Sequence, residues 1–148
     1  MTEAEGSQRA VRVAIVDDDP FVVQALRSYL SSSPQIEVLS TFTSARDLLA
    51  FLKRIPVDVL VSDVRMPGMD GLELLARVQE QHPRTAVVML TSFDDDSAML
   101  TALSQQANGF LLKDSSPEDV IRAVIAAHSG GTTISPTTTS RLVSQHLR

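Results

Sequence analysis

Short apolar runs alternate with amphipathic stretches five times along this chain, and that alternation leaves few folds open. Val11-Arg-Val-Ala-Ile-Val16 is a nearly unbroken run rich in β-branched residues, as expected of a strand buried on both faces of a parallel sheet. Ile36 to Phe42, Val57 to Val61, Ala86 to Leu90 and Gly109 to Leu112 read as four more strands, the second being more polar and so suited to an edge. Helices are predicted between them. Asp19 caps the first, which runs from Pro20 to Ser31 with Pro at its first position and Phe21, Ala25 and Leu26 on one stripe. Ser44 with Asp47, and Asp70 with Glu73, have capping-box spacing and open helices to about Arg54 and Gln81. A fourth helix is expected over Asp95 to Gln105. A last one opens at Ser116-Pro-Glu-Asp119 and ends near Gly130-Gly131. Strands separated by helices force an α/β fold, a parallel sheet with helices on both faces.

Right-handed crossovers put the carboxyl ends of all the strands on one edge, where ligands of such sheets sit. Asp17 and Asp18 follow the first strand, Asp63 the third, Thr91 the fourth and Lys113 the fifth. Only the second strand, the one suited to an edge, ends without a chemically able group, in Thr41, Phe42 and Thr43.

Three carboxylates held close repel one another and cannot all stay ionised without a cation. Oxygen-only ligands suit Mg²⁺, which keeps several waters and takes one or two carboxylates. A carboxylate beside bound Mg²⁺ can attack phosphorus to form an acyl phosphate. A lysine and a hydroxyl can then hold the phosphoryl oxygens.

Composition narrows the rest. Of 148 residues, 43% are hydrophobic and 4% aromatic, so the core must be aliphatic. The net charge of -5 argues against a chain that itself grips nucleic acid, which needs a basic face. With no cysteine, disulfides, thiol catalysis and Cys-based zinc sites are excluded, which fits a cytoplasmic protein. No apolar run reaches the ~18–20 residues that span a bilayer, so no membrane partner is expected. Met1 to Arg9 is polar and acidic and reads as a disordered tail.

The Asp17-Asp18 pair, Val-Ser-Asp63-Val-Arg-Met-Pro-Gly-Met-Asp-Gly71, Thr91 and Lys113 resemble the receiver domain of bacterial response regulators over about residues 10 to 130. Asn108-Gly-Phe-Leu-Leu-Lys-Asp114 and Gly130-Gly-Thr-Thr-Ile-Ser-Pro136 resemble its NarL/LuxR branch, in which a helix-turn-helix DNA-binding domain follows. The resemblance implies a flavodoxin-like, doubly wound five-stranded sheet of order 2-1-3-4-5. It implies that Asp63 accepts a phosphoryl group from a sensor histidine kinase. Asp18, Asp63 and the backbone carbonyl of Arg65 would bind Mg²⁺, with Asp17 acting through water. Thr91 and Lys113 would contact the phosphoryl oxygens, and Thr91 and Phe110 would switch together to reshape the face around the fifth strand. It further implies a homodimer on phosphorylation, and DNA binding only through the output domain. Residues 131 to 148 read as a linker towards that absent domain, with a short helix expected over Thr138 to Leu147 that carries Leu142, Val143 and Leu147.

Lys113-Asp114 stands where many receivers carry Lys-Pro, often with a cis bond. Without proline a cis bond costs about 3–4 kcal/mol, which leaves the geometry of that loop open. Simpler roles suffice elsewhere: Asp19 is a helix cap, Asp94 to Asp96 a solvated helix start, and Phe110 serves as a core residue whether or not it also switches. The scattered His82, His128 and His146 have no assigned chemistry. Two rival functions stand against the receiver reading. A haloacid-dehalogenase-like phosphatase needs an acid two residues after its nucleophile, where this chain has Arg65. A non-phosphorylated pseudo-receiver would usually have lost the acid pair, the acceptor or the lysine, and all are present.

Overall fold

The computed structural model describes residues 9–92, 97, 101–102, 104–130 and 133–134. In chain order the elements are β1 (Val11–Val16), α1 (Pro20–Ser31), β2 (Ile36–Phe42), α2 (Ala45–Leu52), β3 (Val59–Asp63), α3 (Gly71–Gln81), β4 (Ala86–Thr91), β5 (Gly109–Leu112), α4 (Pro117–His128) and β6 (Thr133–Ile134). The helix expected over Asp95 to Gln105 falls largely outside the described residues, but Ser97, Thr101, Ala102 and Ser104 within it are helical. The acidic tail up to Gln8 and the short helix expected over Thr138 to Leu147 lie outside them as well.

Every strand pairing is parallel, in the order β2-β1-β3-β4-β5-β6. The first five strands follow the expected 2-1-3-4-5 order. Thr133–Ile134, expected in the linker, adds a sixth strand beside Gly109 and Phe110.

Burial on both faces explains the unbroken apolar runs. On one face α1 and α4 cover Val13, Ile15, Val59, Val61, Val88, Leu90 and Leu111. On the other, α2 and α3 cover Ala14, Val16, Leu60, Met89, Phe110 and Leu112 through Leu48, Leu52, Leu74, Leu75 and Val78. Each fully buried aliphatic side chain contributes roughly 1.5–3 kcal/mol against exposure. Only the first of the seven β2 residues is buried, as befits an edge strand.

The caps form where the sequence placed them. Asp19 Oδ1 accepts from Phe21 N at 2.9 Å, Ser44 Oγ from Asp47 N at 3.2 Å, Asp70 Oδ1 from Glu73 N at 2.9 Å and Ser116 Oγ from Asp119 N at 3.2 Å. Each satisfies a helix-end amide that would otherwise lack a partner, worth about 1 kcal/mol. Gly130 ends α4 at φ +91, a conformation that favours glycine.

Three local expectations are corrected. Phe21 does not share a buried stripe with Leu26: it is 87% exposed, and α1 instead buries Val23, Leu26 and Leu30. The third strand runs from Val59 to Asp63, because Ser62 pairs with Val16 and Met89, and Asp63 pairs with Leu90. The second helix stops at Leu52 with Lys53 as its cap, two residues short of Arg54.

Candidate functional site

Strand order reverses between β1 and β3, and their carboxyl ends deliver Asp17, Asp18 and Asp63 side by side. Asp17 continues β1, its N–H donating to the Phe42 carbonyl at 3.1 Å. It is fully buried. Its Oδ1 accepts from Asp19 N at 2.9 Å, a turn that aims the carboxylate back across the strand end. Asp63 is the last residue of β3 and only 3% exposed. Its Oδ1 accepts from Arg65 N at 3.3 Å. Asp18 lies exposed at the rim, and one carboxylate oxygen from each of the three acids lies within 4.8 Å of the other two.

Lys113 follows β5 directly. Its Nζ donates to Asp63 Oδ2 at 3.1 Å and lies 3.4 Å from Asp17 Oδ2. The second contact is an ion pair only, and Asp17 Oδ2 is buried with no hydrogen-bond partner. Lys113 N donates to the Thr91 carbonyl at 3.0 Å, which ties the lysine to the end of β4. Thr91 itself is buried, one residue beyond the level at which Leu90 pairs with Asp63. Thr91 pairs with Leu112 and Met89 with Phe110, so Thr91 and Phe110 stand on one sheet face, one diagonal apart. Phe110 is fully buried in that face's core.

The charges are imperfectly balanced. Burial pushes Asp17 up to about 6, against the Asp19 amide and Lys113, which favour its charged form. Burial also raises Asp63, opposed by its hydrogen bond from Lys113. Burial works against the charge of Lys113, but Asp63 and Asp17 outweigh it and hold the amine above its usual range. Among the described residues, one lysine thus faces two buried carboxylates with a third at the rim. A cluster of hard oxygen donors, one of them buried with an ion-pair contact and no hydrogen bond, fits a small hard cation such as Mg²⁺.

Two residues of the motif around Asp63 had no role assigned from the sequence. A β-carbon on Gly71 would meet the Asp63 carbonyl oxygen at 1.9 Å, so only glycine lets α3 start against the acid's backbone. Its signals are its place after the cap Asp70 and at the end of the motif that starts before Asp63. Ser62, fully buried, donates from Oγ to the Asp63 carbonyl at 3.0 Å. No peptide bond among the described residues is cis, so Lys113-Asp114 is trans.

The family model described as "Response regulator receiver domain" matches residues 13–125. The chain belongs to that family. Among curated relatives, this receiver is 30% identical to the transcriptional regulatory protein LnrK of Bacillus subtilis over 138 residues, 93% of the chain and 63% of LnrK. It is 28% identical to the nitrate/nitrite response regulator NarL of Escherichia coli over 124 residues, 84% of the chain and 57% of that protein. The receiver thus spans about 60% of the length of these NarL/LuxR-type relatives. Among solved structures, the signal receiver domain of the putative response regulator NarL from Mycobacterium tuberculosis superposes with a TM-score of 0.77 at 34% identity, covering 82% of this chain and 98% of that one. The isolated receiver domain of RcsB from Salmonella enterica, in the presence of the phosphomimetic BeF3-, gives 0.83 at 25%, covering 90% and 99%. Among the described residues of this receiver no helix is long and apolar enough to cross a membrane.

Proposed function

We propose that Asp63 accepts a phosphoryl group from a sensor histidine kinase and that the resulting change of packing controls a DNA-binding output domain. The observation that carries this reading is the contact of Lys113 Nζ with Asp63 Oδ2 at 3.1 Å, inside a cluster of three carboxylates. An oxygen of Asp63 attacks phosphorus, the bond from phosphorus to the donor's imidazole nitrogen breaks, and the imidazole keeps that electron pair and takes up a proton. Asp18, Asp63 and the Arg65 carbonyl would hold Mg²⁺, and Asp17 would act through water. The chemistry that Mg²⁺ would supply there is to offset the negative charge that gathers on the phosphoryl oxygens. Lys113 moves its ammonium from the carboxylate towards a phosphoryl oxygen, and the Thr91 hydroxyl binds another.

Signal output follows from the same geometry. Thr91 and Phe110 share a sheet face, so a shift of Thr91 towards the phosphoryl group opens space for a second packing of Phe110. The phosphorylated form pairs as a homodimer. The domain is not an enzyme acting on other molecules, since it modifies and dephosphorylates itself with Mg²⁺.

Incubation with acetyl phosphate and Mg²⁺ tests the reading, with intact mass as the readout. A single phosphoryl adduct that disappears in Asp63→Asn is expected. No adduct on the unaltered chain would instead mark a pseudo-receiver, and steady phosphate release from many substrates a phosphatase.

A further inference from the structure

The opposite edge of the sheet, where the strands begin, has a site of different character. A cavity of about 480 Å³ opens there, lined by Arg9, Arg12, Asp58, His82 and Arg84. Roughly 16 Å of β3 separates it from Asp63, at about 3.3 Å per residue. Among the described residues that line it, three are arginines and one is an aspartate, in a chain whose net charge is -5.

That carboxylate is already engaged. Asp58 Oδ2 accepts from the backbone N–H of Arg12 at 2.8 Å, and its own N–H donates to the Arg12 carbonyl at 2.9 Å, which joins the starts of β1 and β3. Arg12 Nε lies 3.7 Å from the same oxygen and is buried without a hydrogen-bond acceptor. His82 Nε2 is also buried without a partner. Arg9 and Arg84 are exposed, and neither forms an ion pair among the described residues. An incoming oxygen acceptor supplies the hydrogen bond that the buried Arg12 Nε lacks. The planar guanidinium fork matches phosphate oxygens. Leu52, Val57 and Pro83 supply an apolar wall beside these donors. The volume lies within the ~300–1,000 Å³ usual for small-molecule sites.

We propose that this pocket binds a phosphate-bearing anion of nucleotide size. The arginines grip the phosphate and the apolar wall receives the attached ring. The site is separate from the Asp63 cluster and does not depend on phosphorylation there.

Calorimetric titration of the whole chain in EDTA with inorganic phosphate, pyrophosphate and ADP tests the proposal, with backbone amide shifts to locate binding. ADP is expected to bind at least about tenfold more tightly than inorganic phosphate, with shifts at Arg12, Asp58, Arg84 and Thr85. Arg84→Gln, at an exposed position that leaves the fold intact, weakens ADP binding by about tenfold or more, and Arg12→Gln does the same. Absence of saturable ADP binding up to roughly 10 mM would overturn the proposal. So would ADP binding no tighter than inorganic phosphate, or an affinity unchanged in both arginine variants. Binding abolished by Lys113→Gln would place the anion at the Asp63 edge and overturn it as well.

Discussion

Gly71 packs so closely on Asp63 that a β-carbon would stand 1.9 Å from the Asp63 carbonyl oxygen and 2.8 Å from the Val64 Cα. In the same contact Gly71 N donates to the Val64 carbonyl at 2.8 Å. The obstacle is backbone, which does not swing aside as a side chain can. In an exposed helix, glycine to alanine usually stabilises by roughly 0.5–1 kcal/mol. Here the sign reverses: Gly71→Ala is expected to cost about 2 kcal/mol or more in urea unfolding and to slow acyl phosphate formation by displacing Asp63. A gain in stability would refute the contact.

The buried acids set how metal-free stability varies with pH. Asp17 sits near 6 in the fold against 3.8 as its ordinary value. Between those values the folded chain keeps a proton that the unfolded chain has lost. The group's stabilising contribution is therefore complete below about pH 4 and is lost as pH rises through about 6. The raised Asp63 acts in the same direction. Asp17→Asn should thus stabilise the metal-free domain at pH 7.5, by on the order of 2 kcal/mol, and much less at pH 4.5. Thermal melts of both proteins across that range, in EDTA, check the sign.

Asp18 is the exposed member of the carboxylate cluster, so its removal leaves the core untouched. Asp18→Ala is expected to weaken Mg²⁺ binding by at least about tenfold with little change in melting temperature. Titration calorimetry reads the first and thermal denaturation the second. Unchanged metal affinity would rule out the proposed ligand set.

DNA binding is assigned to an output domain that follows the receiver in the proposed whole protein. Residues 1 to 148, at net charge -5, are expected to give no specific, salt-sensitive shift with duplex DNA in a gel. Such a shift would overturn the assignment.

Much of this architecture was legible because its signals are local. Val11 to Val16 is β-branched enough to declare a doubly buried strand, and Asp19-Pro20, Ser44, Asp70 and Ser116 mark helix starts through contacts within two or three residues. Phe21 departs from its expected stripe for the converse reason. Helical periodicity tells which residues share a stripe, while the part of the stripe that meets the sheet depends on how far α1 overlaps its neighbours. Thr133–Ile134 joins the sheet through partners more than twenty positions earlier, which no local pattern in a Ser/Thr-rich stretch announces.

The same division runs through the site. From the order of residues alone follow the aliphatic doubly wound sheet and the arrival of Asp17, Asp18, Asp63, Thr91 and Lys113 at one edge. Chain handedness and strand twist permit little else. Packing between distant segments decided the rest: Lys113 meets Asp63 across 50 positions of sequence, Asp17 keeps an oxygen without a hydrogen bond in the interior, and Gly71 can be nothing larger. Distances of a few tenths of an ångström and the loss of water around a carboxylate are set by all the surrounding elements at once, so they exist only in the folded molecule.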